Sequence, residues 1–225
     1  MSATKNNAGD DFIAPTCHEQ IEIIYEDAQL LVINKPSGLL SLSGKNPANK
    51  DSVHYRIRQS HPTALMVHRL DFGTSGLLLL ALNKAVNAQL CAQFQARTVD
   101  KTYNAILQGR IALPRGVINF AIAKDKDNFP YQKICSESGK SAQSRYELLC
   151  YEGENSRVAF EPITGRTHQL RIHSREFGHP ILGCDLYHAK GSQHQAPRLL
   201  LHASELVFDQ PLTGQRMSLH SRCPF

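Results

Sequence analysis

The sequence predicts an α+β fold: a mostly antiparallel mixed sheet with a few flanking helices. Three observations carry that expectation. Segments rich in leucine, β-branched and aromatic residues recur along most of the chain. The connections between them are short, and several hold glycine, notably Gly139 and Gly153. Only a few stretches carry helix signals. Many strands, few helices and short connections suit antiparallel pairing.

Taken in order, residues 1–18 carry few apolar side chains and include the adjacent acids Asp10 and Asp11. They are expected to form a loosely ordered tail. Residues 21–25 and 30–34 are β-rich runs around the turn-like Glu26-Asp27-Ala28, a predicted hairpin. Lys35-Pro36-Ser37-Gly38 breaks the second run. Asp51 is expected to cap a short helix that reaches Ser60 and is stopped by Pro62. Residues 65–71 read as a strand, followed by a Gly/Ser/Thr turn and the apolar strand 77–82. Asn83 is expected to cap a helix to Arg97, with Val86, Leu90 and Phe94 four apart on one face. Strands follow over 102–107, 117–123, 131–135, 144–151 and 157–162. Thr167 is expected to cap a last helix ending before Gly178. A hairpin of 199–208 and 217–220 closes the chain around Pro211-Leu212-Thr213-Gly214. No repeat, low-complexity tract or linker interrupts residues 19–225, which are expected to form one domain.

Composition narrows the function classes. A chain of 225 residues buries roughly 70% of its unfolded surface, enough to fold without disulfides or metal. Hydrophobic residues make up 41% and charged residues 20%, as in ordinary soluble proteins. The longest apolar run, 77–82, is strand-sized, against the ~20 residues that cross a bilayer. The polar N-terminus lacks the apolar stretch of a secretory signal, so a cytoplasmic protein without membrane association is expected. Cysteines 17, 91, 135, 150, 184 and 223 include no C-x-x-C pair, and free, mostly buried thiols are expected. The formal charge of +5 suits a polyanionic partner without requiring one.

Several familiar patterns fail. His68-Arg69-Leu70-Asp71-Phe72-Gly73 echoes two kinase motifs, but one aspartate would have to serve both, and no G-x-G-x-x-G occurs. Between Gly38 and Lys45 the glycines are one residue too far apart for a phosphate loop, and Asn46 replaces the hydroxyl that would hold magnesium. His168 and His173 are five apart, the wrong offset for two metal ligands on one helix face. No metal site is expected.

Two segments remain. In an extended chain Arg69 and Asp71 project from the same face, and the Gly/Thr/Ser turn after them can hold the carboxylate in a cleft. The bland alternative is an aspartate capping its own turn. Gly165-Arg166-Thr167-His168-Gln169-Leu170-Arg171 opens the last helix with two arginines near its positive dipole end. That placement is unfavourable by a few tenths of a kcal/mol unless an anion stands opposite. Asp71 or an RNA phosphate would serve; two solvated arginines are the alternative.

Residues 68–76, H-R-L-D-F-G-T-S-G, resemble the catalytic motif of the RluA family of pseudouridine synthases. Residues 34–38 (N-K-P-S-G), 101–103 (K-T-Y), 165–173 (G-R-T-H-Q-L-R-I-H) and 179–183 (H-P-I-L-G) fit the same family in the same order. Asp51-Ser52-Val53 and Gln132-Lys133 resemble its short branch, which acts on both tRNA and rRNA and lacks a separate RNA-binding domain. The resemblance implies a pseudouridine synthase catalytic domain that isomerises uridine in hairpin loops of tRNA, 23S rRNA or both, as a monomer. It implies no cofactor, because the reaction is redox-neutral and transfers no phosphate. Asp71 matches the essential aspartate, Arg171 its basic partner, and Tyr103 the active-site tyrosine. Leu170 matches the apolar residue beside the target ring, and Arg69 the residue that fills the space of the flipped base. His68, Arg166 and Lys101 sit inside the matching segments as further substrate-binding candidates. His68 and His173 also read as structural hydrogen-bonding residues. Lys35, Arg56, Arg58, Lys84, Arg97 and Lys133 are candidates for tracking the phosphate backbone. A catalytically silent RNA-binding protein is the alternative from another class; a glycosidase would need a second acid in a motif of its own.

Overall fold

The computed structural model describes residues 12–189 and 192–225. In chain order these hold β1 (Glu22–Glu26), β2 (Leu30–Lys35), α1 (Val53–Ser60), β3 (Leu65–Met66), β4 (Ser75–Ala81), α2 (Lys84–Ala96) and β5 (Asp100–Leu107). Then come β6 (Arg115–Ile118), β7 (Ile122–Lys124), β8 (Gln132–Ile134), β9 (Ser144–Glu152), β10 (Asn155–Pro162), α3 (Gln169–Glu176), β11 (Leu201–Asp209) and β12 (Arg216–His220). The large sheet runs β1-β2-β4-β11-β5-β10-β9-β6, with β12 beside β11 and β3 beside β4, while β7 and β8 form a separate ribbon. Its pairs are antiparallel except β4 with β11. The expected α+β class is what the chain adopts.

The burial pattern explains why this arrangement holds. Every residue of β4 is buried, so the strand is covered on both faces. Leu77 and Leu79 pack with Val86 and Leu90 of α2 and with Leu206 and Phe208 of β11. Leu78 and Leu80 face the other way, against Val53 and Ile57 of α1. A third cluster joins Ala105, Val158 and Phe160 to Leu170 and Ile172 of α3. Tyr103 on β5 packs against both of the last two clusters. The sheet therefore brings α3 and the loop before β4 to one place, over the middle of β5.

At Gly76, where β4 meets β11, φ is +111°, and a β-carbon would lie 2.3 Å from the Ala203 carbonyl oxygen. Only glycine lets these two backbones approach so closely.

Several local expectations need correction. The strand expected over 65–71 stops at Met66. Past that point the Leu79 N–H bonds the His68 ring instead of a backbone carbonyl, at 3.0 Å. The run 117–123 splits, because Ile118 ends its pairing with β9 and Ile122 starts pairing with β8. Between them the Phe120 carbonyl accepts from Nε2 of His173 at 3.1 Å, which turns the chain out of the large sheet. Ser52, not Asp51, caps α1, accepting from the Tyr55 N–H at 3.1 Å, while Asp51 pairs with Arg56. Asn83 caps α2 as expected. Thr167 does not cap α3; His168 stands there in the left-handed region, with no capping bond from its side chain.

Part of the expected tail, residues 1–11, lies outside the described residues. Residues 12–18 lack regular structure, but Asn49 bonds the Phe12 carbonyl and the Ala14 N–H, and Arg56 donates to the Cys17 carbonyl. The cysteines are free, yet only Cys184 is buried and Cys150 is exposed, so the expectation of mostly buried thiols fails. No helix of the described residues is long and apolar enough to cross a membrane.

Candidate active site

Asp71 lies in the loop between β3 and β4, and that loop is pinned from beneath. Lys35 is fully buried at the end of β2, and its ammonium donates to the carbonyls of Pro36, Leu39 and Phe72 at 2.8, 2.7 and 3.2 Å. Ser37 donates to the Gly73 carbonyl at 2.7 Å, and the Gly38 N–H bonds the Phe72 carbonyl. Burial pulls the Lys35 ammonium down to about 7, partly offset by Cys17 and Asp71. Lys35 therefore positions the Asp71 loop and has no route to a phosphate, which corrects its expected role.

Opposite stands α3. Nη1 of Arg171 is 3.6 Å from Oδ2 of Asp71. The remainder of the guanidinium is also engaged: Nη2 bonds Asp185, and Nε donates to Sγ of Cys184 at 3.4 Å. The Arg171 side chain is only 5% exposed, against 24% for Asp71. Burial opposes its charge, yet Cys184, Asp71 and Asp185 together hold the guanidinium above its usual range. The predicted anion facing the first turn of α3 is thus Asp71, joined by Asp185.

Between them lies a cleft of about 120 Å³. Its walls include Arg69, Asp71, Lys101, Tyr103, Arg166, His168, Leu170 and Arg171. Seven of the eight residues picked from the sequence meet there. The exception is His68, which stacks on Phe94 at 4.6 Å and accepts the Leu79 N–H. Burial pushes its imidazole down to about 3, with the Lys101 charge adding. It is a neutral structural acceptor and does not line the cleft. His173 is likewise structural, accepting from Ser144 Oγ at Nδ1 and donating from Nε2 to Phe120. Arg56 is spent on Asp51 and the Cys17 and Glu19 carbonyls.

The loop before α3 is organised by one side chain. Gln169 accepts from the Thr164 hydroxyl at 2.7 Å and the Arg166 N–H at 3.0 Å, and donates to Gln143 and Ser144 at 2.9 Å. All its bonding groups are met, so the approach to Leu170 and Arg171 is fixed. Tyr103 closes the floor. Burial, with the Asp71 charge adding, raises its hydroxyl well above the usual phenol range, so it is un-ionised near neutral pH.

Sequence reasoning gave no role to His168, Asp185, Cys184 or Tyr187. His168 lies inside the motif of residues 165–173, and the other three directly follow that of 179–183. Proximity to those motifs was the available signal.

A larger groove, about 320 Å³, lies over the edge strands between Arg115, Val117, Arg145, Glu147 and Glu161. Its Arg145 and Glu161 pair with each other at 3.9 Å, at the exposed rim. The smaller cleft is the better site. It sets one carboxylate among four basic side chains, Arg69, Lys101, Arg166 and Arg171, beside an aromatic ring.

That combination suits a polyanionic substrate and a reacting carboxylate. The family model described as RNA pseudouridylate synthase matches residues 29–176, and the chain belongs to that family. The chain is 45% identical to the "Dual-specificity RNA pseudouridine synthase RluA" of Yersinia pestis over 202 residues, 89% of this chain and 97% of that one. It is 44% identical to the protein of the same name from Escherichia coli (strain K12), covering 90% of this chain and 93% of that one. Among solved structures, "Human RNA Pseudouridylate Synthase Domain Containing 1" superimposes with a TM-score of 0.77 at 31% identity, covering 94% of this chain and 86% of that one.

Proposed function

We propose that this enzyme isomerises uridine to pseudouridine in RNA hairpin loops, in both the tRNA anticodon stem-loop and a 23S rRNA hairpin. The observation that carries the chemistry is the Asp71 carboxylate, paired with Arg171 in a basic cleft that Tyr103 also lines. The double substrate is supported by the dual-specificity relatives, whose match extends over most of this chain.

The reaction breaks N1–C1′, rotates the uracil, joins C5 to C1′ and moves the C5 proton off the ring while N1 gains one. Atoms and electrons balance without an oxidant, reductant or phosphate donor. Asp71 supplies the nucleophilic carboxylate, adding at C6 of the ring or at C1′ as the uracil leaves. Tyr103 presents a flat ring for stacking and a hydroxyl beside the rotated base. Leu170 packs against the base from the α3 side. Arg69, exposed at the mouth of the cleft, fills the gap left in the RNA when the base flips out, a step costing a few kcal/mol. Arg166 and Lys101 face the phosphate backbone. Residues 19–225 act as one catalytic domain, in the cytoplasm, as a monomer, without metal or cofactor.

The test is tritium release from RNA labelled at uridine C5, taken from cells lacking the activity, with tRNA and rRNA assayed separately. Release from both, mapped to hairpin loops, is expected. Release from only one RNA class would remove the dual specificity. Binding to both without release would make the protein a silent RNA binder.

A further inference from the structure

His168 lines the cleft without an assigned role, and its surroundings fix both its tautomer and its aim. The Tyr187 oxygen accepts the backbone N–H of Gln132 at 2.7 Å and stands 2.9 Å from Nδ1 of His168. With that oxygen already accepting, its own proton is free for Nδ1. At the far side of the ring, Nε2 is 4.0 Å from Oδ1 of Asp71. A bare nitrogen there would set its lone pair against a carboxylate, so the proton belongs on Nε2. Both ends of the ring select the same tautomer.

The backbone points the same way. His168 has φ 57° and ψ 18°, an uncommon conformation for a residue with a side chain, and its side chain makes no capping bond to α3. Its carbonyl accepts the first helical bond, from the Ile172 N–H at 3.0 Å, which leaves the side chain to face Tyr187 and Asp71. The charged groups acting on it are Asp71, Arg171, Asp185 and Arg69. Burial lowers its pKa, against the raising effect of Asp71, so the ring is a neutral donor.

We propose that His168, locked by Tyr187, is a positioning residue that donates Nε2–H to Oδ1 of Asp71 while Arg171 addresses Oδ2. The two oxygens are thereby distinguished, and the carboxylate is turned for attack. The 4.0 Å separation exceeds a formed hydrogen bond and closes when RNA fills the cleft, as catalytic contacts commonly do. This inference rests on Asp71 being the reacting carboxylate.

Steady-state kinetics on an RNA hairpin, with Asp71→Asn as the reference, separates the two readings. Asparagine tolerates the left-handed backbone and reaches Tyr187 but not Asp71. Glutamine carries an N–H about as far as Nε2. His168→Asn should lower kcat about ten-fold or more with KM little changed, and His168→Gln should recover most of the loss. Tyr187→Phe, which keeps the ring, should lower kcat several-fold. If His168→Asn fails to fold, the other two variants decide the matter. Equal impairment of the Asn and Gln variants, loss in KM alone, or unchanged kcat in all three would overturn the proposal. An inactive Asp71→Asn beside unaffected His168 variants would sink this inference alone; a fully active Asp71→Asn would sink the reading of the site as well.

Discussion

Nη1 of Arg171 stands 3.6 Å from Oδ2 of Asp71, across the gap between α3 and the β3–β4 loop. The same guanidinium is held by Asp185 and Cys184, so its fork is fixed in three directions. A lysine there would keep the charge and lose the geometry. Arg171→Lys should cut kcat roughly a hundred-fold while the protein stays folded. Single-turnover rates beside thermal unfolding check this, and wild-type kcat would show the fork to be unimportant.

Tyr103 is packed between two core clusters, and its hydroxyl stays un-ionised near neutral pH. Tyr103→Phe keeps the ring and removes only the oxygen. RNA affinity should be nearly unchanged and kcat should fall by about 10²-fold or more, the size of a lost general acid–base contribution. Affinity by filter binding and rate by tritium release separate these effects. A variant that loses binding and keeps its rate would assign the hydroxyl to recognition.

Gly76 is a tight point of the fold, with the Ala203 backbone where a side chain would begin. Neither strand can retreat without opening the parallel pairing of β4 with β11. Gly76→Ala should destabilise the protein by about 4 kcal/mol or more, or prevent folding. Urea unfolding measures it, and a loss under about 1 kcal/mol would mean the backbones separate easily.

Two histidines, the half-buried His68 and the buried His202, set an acid limit to stability. Burial pushes His68 down to about 3 and His202 to about 4, the latter also disfavoured by the Arg198 charge. The unfolded chain takes up these protons near pH 6.5. Stability is therefore fully present above that pH and lost as the pH falls toward the folded values. His68→Gln retains an acceptor for Leu79 and cannot titrate. Its unfolding free energy should fall less steeply between pH 6.5 and 4 than that of the wild type, by up to one proton's slope. Identical slopes would show that His68 is protonated in the folded protein.

Much of the fold was legible because its signals are local. The apolar strand 77–82 and the Asn83 cap appear almost as read. Two strand failures came where a distant side chain replaced a backbone partner. His68 ends β3 by taking the Leu79 N–H, and His173 splits the run 117–123 by holding Phe120. Neither event leaves a mark in the segment it alters. The site divides the same way. Asp71, Tyr103 and Arg171 stand in motifs that name them. His168, Tyr187 and Gln132 meet only after β8, α3 and the loop following it are packed together. Lys35 resembled a surface cation in the sequence, and only the burial of β2 shows its ammonium beneath the Asp71 loop.

The central claim is that the Asp71 carboxylate performs the chemistry. Asp71→Asn preserves its shape and removes the charge, which makes it the most direct variant. Wild-type protein and Asp71→Asn should bind an unmodified RNA hairpin with similar affinity and unfold at similar temperatures. The wild type should release C5 tritium to water, and Asp71→Asn should release it at background, at least about 10³-fold slower. Release by Asp71→Asn at the wild-type rate would contradict the mechanism at its centre and move the search to another group in the cleft.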